Sequence, residues 1–591
     1  MPERSLQNPF QNPVIPGFHP DPSICRAGDD YFLVNSSFAY FPGVPLFHSR
    51  DLVHWRQIGH CLTRPSQLPL ARATTSGGIF APTIRYHDGT FYMVTTNVTH
   101  GGNFFVKTDD PFREWSEPIW LAQNGIDPSL FFHDGHVYLT SSGVPDEADT
   151  EVKVQGIIQS EIDIDSGLLL TKSRLIWAGT GGAYPEGPHV YQIGDHFYLM
   201  IAEGGTEYGH TEVIARSSSP WGPWEGCPHN PILTHRSVHS PIQALGHADM
   251  LQAQDGSWWM VCLGIRPNQP QVHHLGRETF LALVEWDSAG WPHVGYESRI
   301  ELTMESPRLT PVEWDLPAVR DDFDGQTLGV KWNFLGNPDP QDWSLTRRSG
   351  ALCLQGNATR LDDGSGCAFV GCRQEHFTCE VKTSLDFLPI EAGEEAGLTV
   401  WMDPRHHYEV FMLNEGGKRV VGVRRRVGSL SAIVARQELP DGLVTLLVRA
   451  NRLFYSFAWV TQEGTEYILA TGETRYLSSE VAGGFTGVYF ALYASGNGRK
   501  SATPAFFDWF DYRNLENPRH LGIDSPLKEL IRDVRAREVL QRNIPELLAN
   551  PVADWQANFS LVDLSAMSPE SITTEHILSI DRELRVANIA A

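Results

Sequence analysis

The 591-residue sequence predicts an all-β fold: a five-bladed β-propeller, then a β-sandwich, then a small helical C-terminal segment. Three observations predict this order. A hairpin motif recurs five times in the first half, short alternating strands fill most of the second half, and helical spacing of apolar residues appears only near the end. The predicted domains are residues 8–312 for the propeller, 318–515 for the sandwich and 523–591 for the helical segment.

Each repeat of the first half joins a tight turn to an aromatic β-run. Asp-Gly or a related pair between apolar runs is a strong hairpin signal, so each run is predicted to be the second strand of a hairpin. Repeats of about 45–60 residues with three or four strands are typical of propeller blades. The five runs are Asp29–Leu33, Asp88–Met93, Asp134–Leu139, Gly194–Leu199 and Asp255–Met260.

The first strand of each hairpin is expected to line the central channel, because blades pack radially around it. Four of these strands carry a titratable residue, placed here at one equivalent position: Asp21, Asp127, Glu186 and His247. A single Asp-Pro-Ser could be only a turn that caps a strand. Three carboxylates that converge on one axis repel each other and cost stability unless they are used, so they favour an active site in the channel.

The second half changes character after residue 318. Short alternating strands such as Phe377–Val381 and Tyr408–Met412 predict a β-sandwich of about 200 residues. Beyond it, Ser525-Pro526 followed by apolar positions through Leu540 predicts one N-capped amphipathic helix, and Thr574–Val586 predicts a second. These short helices, separated by segments with Pro551 and Pro569, could dock on the sandwich or mediate a homo-oligomer.

Composition limits the possible partners. The net charge is −25, from 71 acidic and 46 basic residues, which disfavours nucleic acid and anionic membranes but not neutral, hydroxyl-rich substrates. The eight cysteines form no CxxC pair and no metal-ligand spacing, so buried reduced thiols are expected. No apolar run at residues 1–7 resembles a secretion signal and no segment is long enough to span a membrane, which predicts a cytoplasmic protein.

Five ordered stretches carry a family resemblance: Asn12–Ser23, Gly125–Ser129, Tyr184–His189, Gly246–Asp249 and Leu275–Phe280. In them the chain resembles glycoside hydrolase family 43, the β-xylosidase and α-L-arabinofuranosidase family. The resemblance implies that Asp21 is the general base, that Glu186 is the general acid and that Asp127 orients and tunes that acid. It also implies that Arg277 binds the terminal sugar and that His247 lies near the axis, where some members hold a calcium ion or a water. No cofactor is expected to be required.

The family inverts the anomeric centre, and the chemistry of the residues agrees. An inverting glycosidase needs a base and an acid about 6.5–9.5 Å apart, so that a water fits between the base and the sugar. Separate blades can provide that spacing. A second buried carboxylate beside the acid raises its pKa by like-charge repulsion, a role that suits Asp127.

Two aromatic positions bear on the choice of sugar. Phe80, in Phe80-Ala81-Pro82, stands where many β-xylosidases of the family have tryptophan, which leaves xylose or arabinose open. Phe38 resembles a second pocket aromatic, although packing in the propeller core is an equal interpretation. His210 could meet a sugar hydroxyl or could be a loop histidine whose hydrogen bonds are already satisfied.

The expected activity is that of an inverting, exo-acting β-1,4-xylosidase that releases xylose from xylo-oligosaccharides or arabinoxylan fragments. α-L-Arabinofuranosidase activity is expected beside it or in its place. The sandwich resembles the concanavalin-like domain of the family's exo-acting members, where a loop walls off the active site. A non-catalytic lectin is the alternative from another class, but it does not account for the three carboxylates.

Overall fold

The computed structural model describes residues 8–146, 155–315, 318–440, 442–516, 521–549 and 556–589. Residues 1–7, whose sequence does not resemble a secretion signal, and Pro551 lie outside these ranges.

The first half of the chain is built from short antiparallel strands. They are β1 (Pro9–Gln11), β2 (Ser23–Ala27), β3 (Asp30–Val34), β4 (Tyr40–Phe41), β5 (Gly43–Ser49), β6 (Arg56–Leu62), β7 (Thr83–His87), β8 (Thr90–Asn97), β9 (Gly102–Thr108), β10 (Ile119–Trp120), β11 (Ile126–His133), β12 (His136–Gly143), β13 (Gly156–Glu161), β14 (Arg174–Trp177), β15 (Glu186–Ile193), β16 (His196–Glu203), β17 (Thr211–Ser217), β18 (Glu225–Gly226), β19 (Leu233–Thr234), β20 (Gln243–Gln252), β21 (Trp258–Ile265), β22 (Glu278–Trp286), β23 (Pro292–Val294) and β24 (Thr303–Glu305).

These strands form the five blades that the repeats predict. In sheet order the blades are β2-β3-β5-β6, β7-β8-β9-β10, β11-β12-β13-β14, β15-β16-β17-β18 with β19 beside β17, and β20-β21-β22-β23. The turns Asp88-Gly89 and Asp134-Gly135 have positive φ at both residues, which is the backbone of a type I′ hairpin turn. The hairpin signal in the sequence is therefore confirmed at these turns.

The start of the chain closes the ring of blades. β1 pairs with β24, and Ile15 bridges Thr279 of the fifth blade. The Asn12 side chain donates to the Leu281 carbonyl at 3.0 Å and accepts from the Leu281 amide at 2.9 Å. The segment that leads to Asp21 is thus held against the last blade, and both lie beside the channel.

The second half forms two packed antiparallel sheets, as expected for a sandwich. In sheet order they are β27-β28-β39-β30-β35-β36-β37, with β25 beside β39, and β29-β38-β31-β32-β33-β34. The strands are β25 (Arg320–Asp321), β26 (Phe334–Leu335), β27 (Trp343–Ser344), β28 (Leu352–Gln355), β29 (Ala368–Arg373), β30 (Cys379–Asp386), β31 (Glu395–Asp403), β32 (His406–Glu415), β33 (Lys418–Val427), β34 (Leu430–Glu438), β35 (Val444–Ala450), β36 (Phe454–Val460), β37 (Glu466–Glu473), β38 (Tyr489–Ser495) and β39 (Pro504–Asn514).

The sandwich packs directly on the first blade. β26 pairs with β4, and the Tyr489 ring stacks on Tyr40 with 4.1 Å between centroids. One continuous apolar core includes residues of both domains, among them Phe18 and Trp401. This contact fixes the position of the sandwich loops relative to the channel.

Helices lie between β37 and β38 and in the C-terminal segment. They are α1 (Ser479–Ala482), α2 (Leu527–Arg532), α3 (Val534–Asn543), α4 (Pro545–Ala549), α5 (Leu561–Met567) and α6 (Thr574–Ile589), with 3₁₀ turns at Leu361–Asp363, Thr474–Leu477 and Gln556–Asn558. The apolar side of the C-terminal helices packs on Leu453 and Phe454 of the sandwich.

The single helix predicted from Ser525 to Leu540 is wrong. The first helix ends before Asp533, whose carboxylate accepts the Ala536 amide at 2.8 Å and caps a second helix. Val534, predicted to face the core, is therefore 71% exposed. The second predicted helix is confirmed as α6, with Ile577, Ile580 and Leu584 buried.

All eight cysteines are buried free thiols, as predicted. Among the described residues, no helix is both long and apolar enough to cross a bilayer.

Candidate active site

The predicted site residues meet where the inner strands of the blades begin. Asp21, Asp127 and His247 each have a left-handed backbone, with φ of 53°, 55° and 50°. Left-handed φ is uncommon outside glycine and often marks a functional position. The shared conformation turns the side chains of three different blades toward one pocket.

The fourth blade differs from the predicted alignment by one residue. Ser129 pairs with Thr140 and His189 with Met200, so the residue equivalent to Asp127 is Gly187, which also has a positive φ of 59°. Glu186 is therefore not at the same strand position as Asp21 and Asp127. Its longer side chain starts one residue earlier and still reaches the pocket, because its pKa responds to Asp21 and its carboxylate lies 3.8 Å from His210.

Asp21 is held as a buried carboxylate. Its Oδ1 accepts from Arg277 Nη1 at 2.7 Å, and its Oδ2 accepts from the Ser36 hydroxyl at 2.5 Å. Burial alone would raise the pKa of Asp21, but Arg277, His247 and Ser36 outweigh it and lower the pKa below its usual value. Asp21 is thus ionised and suited to accept a proton.

Asp127 and Glu186 are shifted in the opposite direction. Burial, then Glu186 and Asp21, raises the pKa of Asp127 well above its usual value; burial and Asp21 raise the pKa of Glu186 to about 7. The Gly187 amide donates to Asp127 Oδ2 at 3.2 Å, which favours the charged form of Asp127. Asp127 and Glu186 oppose each other's ionisation, so this pair holds a proton that an acid could donate.

Arg277 links the propeller to the sandwich. Its Nη1 is paired with Asp21, and its Nη2 donates to the Phe485 carbonyl at 3.2 Å. Its guanidinium lies 5.8 and 5.9 Å from the ring centroids of Phe38 and Phe485. Arg277 Nε is buried without a hydrogen-bond partner, so this donor is unused.

Three phenyl rings form the aromatic side of the pocket. Phe38 lies 5.5 Å from Phe80 and 6.2 Å from Phe485, measured between centroids. Phe38 is 2% exposed and also packs on Phe18, whereas Phe485 is 40% exposed. Phe38 thus packs in the propeller core and also lies beside Phe80 and Phe485, so it fits both the core and the pocket interpretation.

The sandwich loop that carries Phe485 is fastened at several points. The Ser76 hydroxyl accepts the Phe485 amide at 3.0 Å, and Glu480 of α1 accepts from the His273 amide at 3.0 Å and from the Tyr208 hydroxyl at 3.1 Å. Sequence reasoning predicted a sandwich loop near the site but missed Phe485 and Glu480. Only the packing of the two domains brings these residues, some two hundred positions distant, to Arg277 and His273.

A buried polar network centred on Asp249 lies next to His247. Asp249 accepts from Ser23, from Arg85 at 2.7 Å and from Tyr191 at 2.7 Å, and Arg85 also contacts His189 at 2.8 Å. These residues belong to the first, second, fourth and fifth blades. The network ties the inner strands of these four blades together.

His247 is buried beside Asp21, with 3.7 Å between its Nδ1 and Asp21 Oδ1. Calcium takes six to eight oxygen ligands, whereas here the neighbouring carboxylate is already paired with Arg277. These residues do not fit calcium well. Among the described residues, a group with metal-ligand geometry lies at the outer strands of the fourth and fifth blades: His229, Asp287 and His293.

The fold and the site together define a class of enzyme. A five-bladed propeller brings together an ionised aspartate, a glutamate whose pKa is raised to about 7 and an arginine beside a sandwich loop, and a glycoside hydrolase needs such a base and acid. The chain belongs to glycoside hydrolase family 43. The model of that family, Glycosyl hydrolases family 43, matches residues 10–292, and the model Beta xylosidase C-terminal Concanavalin A-like domain matches residues 320–513.

Relatives of known activity cover most of the chain. It is 45% identical over 516 residues to a non-reducing end α-L-arabinofuranosidase of Bacteroides ovatus, across 86% of this chain and 96% of that protein. It is 38% identical over 526 residues to a xylosidase/arabinosidase of Butyrivibrio fibrisolvens, across 84% and 98%. The solved structure of a xylan β-1,4-xylosidase from Bacillus halodurans has a TM-score of 0.81 at 34% identity, across 85% and 100%.

Proposed function

We propose that the protein is an inverting exo-glycosidase that removes single pentose units from the non-reducing end of plant-type oligosaccharides. The observation that carries the proposal is that the surroundings shift the pKa values of two neighbouring carboxyl groups in opposite directions. Asp21 stays ionised beside Arg277, whereas burial and Asp21 raise the pKa of Glu186 to about 7. These are the states that a general base and a general acid need at the start of the reaction.

In the proposed mechanism Asp21 removes a proton from a water, which attacks the anomeric carbon. Glu186 donates its proton to the leaving oxygen on the opposite face of the sugar. Asp127 orients Glu186, and mutual repulsion keeps the two carboxyl groups from ionising together. Arg277 binds hydroxyls of the terminal sugar. The four side chains supply acid, base and binding without a cofactor.

The exo mode is inferred from the wall beside Arg277. The loop around Phe485 is bound to the propeller through Ser76 and Arg277, and its ring adjoins Phe38. A second sugar beyond the terminal one would need the space that this loop occupies. Release of one unit at a time follows from a pocket closed on that side.

Two pentoses are candidates for the terminal sugar. α-L-Arabinofuranose is supported by the 45% identical relative and by Phe80, a smaller ring than the tryptophan of many β-xylosidases in the family. β-Xylose, our expectation from the sequence, is supported by relatives at 33–38% identity whose names include xylosidase activity. We place arabinofuranosides first and xylosides second.

Proton NMR of the first product, with a panel of nitrophenyl pentosides, tests the proposal. Inversion converts an α-L-arabinofuranoside to β-arabinose and a β-xyloside to α-xylose. Initial product of retained configuration would refute the inverting mechanism. Oligosaccharide products of mixed length from a xylo-oligosaccharide would refute the exo mode.

A further inference from the structure

His210 carries a buried nitrogen that the mechanism above does not use. The side chain is fully buried, and its Nδ1 lies 3.2 Å from the Ala244 carbonyl oxygen. Its Nε2 is buried without a hydrogen-bond partner. Buried polar groups are almost always paired, so an unpaired one beside a pocket points to a partner that arrives from outside.

The protonation of the imidazole follows from its surroundings. A carbonyl oxygen can only accept, so Nδ1 carries the hydrogen and Nε2 presents a lone pair. Burial, followed by the charge of His247, lowers the pKa of His210 to about 3, so the ring is neutral near pH 7. Nε2 is therefore a permanent acceptor.

The position of the ring is also fixed. It lies flat against Gly246, where a Cβ would come within 2.7 Å of the ring atoms Cε1 and Nδ1. Its Nε2 lies 3.8 Å from Glu186 Oε1, too far for a direct hydrogen bond. An oxygen atom beside the two groups could lie within hydrogen-bond distance of both.

The pocket holds a complementary donor. Arg277 Nε is buried and unpaired, and the charge of Arg277 acts on both His210 and Glu186. An acceptor and a donor left open around one acid match a hydroxyl group, which both gives and takes a hydrogen bond. A water could fill the position in the free enzyme, but it would leave when sugar binds.

We propose that His210 is a specificity-determining residue whose Nε2 accepts a hydrogen bond from a sugar hydroxyl next to the scissile bond. The inference rests on the proposed function, since it places a pentoside beside Glu186. His210 then requires a hydrogen-bond donor at one position of the sugar. A substrate analogue without that hydroxyl would leave Nε2 unpaired and bind more weakly.

The test compares His210→Phe with His210→Gln in the full-length protein. Both variants lose the bond to Ala244, but only glutamine can place an acceptor oxygen near the position of Nε2. We expect His210→Phe to raise KM for nitrophenyl pentosides and the inhibition constant of the free pentose by about 10–100-fold. His210→Gln should recover most of that loss, and the basic limb of the pH–rate profile should not move in either variant.

His235→Phe is the matched control. His235 is equally buried, but its Nδ1 contacts the Ile242 carbonyl oxygen at 2.7 Å and its Nε2 accepts the Ile300 amide at 3.2 Å, away from the pocket. Its replacement should lower the melting temperature and leave KM unchanged.

Deoxy analogues of the accepted pentoside complete the design. One of them should bind wild type and His210→Phe equally, which identifies the hydroxyl. An unchanged KM in folded His210→Phe, or a shifted basic limb at constant KM, would overturn the assignment. If wild type neither hydrolyses nor binds any pentoside, the proposed function itself fails, which is a different result.

Discussion

Two carboxyl groups in the pocket differ in protonation because of their immediate neighbours. Asp21 has a guanidinium and a hydroxyl within hydrogen-bond distance, whereas Glu186 has burial and the charge of Asp21. Opposite charge favours ionisation and desolvation opposes it. The surroundings therefore distinguish the base from the acid, although the two side chains differ by only one methylene group.

Replacement of Asp21 by asparagine tests the base. The introduced amide can still bind Arg277 but cannot take a proton from water, so kcat/KM should fall by about 10²–10⁴-fold for every substrate, with the fold retained. Kinetics and circular dichroism measure the two effects. Asp51→Asn, at a buried aspartate that holds a turn, should change stability but not rate. Near-normal turnover by a folded Asp21→Asn variant would contradict the role.

Replacement of Glu186 by glutamine tests the acid. Poor leaving groups need full protonation, so the variant should lose far more activity on oligosaccharides than on aryl glycosides with good leaving groups. Rates across a series of aryl leaving groups measure this slope. Glu203→Gln, in the same blade but bonded to Thr180, should show no such slope. Equal losses across the series would instead indicate a structural role for Glu186.

The pH profile tests Asp127. Glu186 is active while protonated, so activity should decline as the pH rises through about 7, the pKa to which burial and Asp21 raise that carboxyl. Asp127 and Glu186 repel each other when both are ionised, so Asp127→Asn should remove that repulsion and move the basic limb to lower pH. A basic limb that stays in place would show that Asp127 acts only by hydrogen bonding.

At the level of strands and loops, the backbone decides which side chains face the pocket. The inner strands of the third and fourth blades are irregular between Ile126 and Ser129 and between Glu186 and His189. The two strands share this irregularity, but one places Asp127 at the left-handed residue and the other places Gly187 there. A glycine at this point lets the His247 ring lie close to the backbone, and the acid moves to the preceding residue.

The contact between Gly276 and Gly487 holds the sandwich loop against the segment that carries Arg277, just before β22. A Cβ on Gly487 would lie 2.4 Å from the Leu275 carbonyl oxygen. Gly487→Ala should therefore displace the loop, destabilise the fold by about 1–3 kcal/mol and raise KM. Thermal unfolding and kinetics check both effects. Gly226→Ala, where no atom lies nearer than 3.9 Å, is the control and should be neutral. An equally neutral Gly487→Ala would refute a rigid loop.

In the whole molecule, each domain packs on the one that precedes it in the chain. The N-terminal segment closes the ring of blades, the sandwich packs on the first blade, and the helical segment covers Leu453 and Phe454 of the sandwich. The helical segment lies beyond the residues that the two family models match. A role of this segment in homo-oligomers stays a prediction.

A core mutation in the helical segment separates its stability from catalysis. Leu540 is fully buried in α3, so Leu540→Ala should cost about 2–5 kcal/mol locally and increase hydrogen exchange in residues 521–589. Val534→Ala, at a residue 71% exposed, should have almost no effect. We expect kcat on aryl pentosides to stay unchanged in both. A large fall in kcat for Leu540→Ala would place the segment in the catalytic architecture.

Local patterns were enough to predict the blades and most of the pocket. A type I′ turn needs two residues that tolerate positive φ, so Asp-Gly marks a hairpin without knowledge of its neighbours. Recurrence of the hairpin then placed Asp21, Asp127 and His247 on inner strands, and Glu186 one residue out of register. Arg277 came from the family resemblance, and the helical break at Asp533 was missed because a capping aspartate resembles a polar surface residue.

Packing between distant segments decided the protonation states and the hydrogen-bond partners of the site residues. The charge of Asp21, the proton on Glu186 and the open acceptor of His210 arise from burial and from partners in other blades, which a linear sequence does not show. The Phe485 carbonyl meets Arg277 only because two glycines let the sandwich backbone approach the propeller. Turn chemistry is local and can be read from neighbouring residues, whereas desolvation and Coulomb interactions depend on distances that exist only in the folded chain.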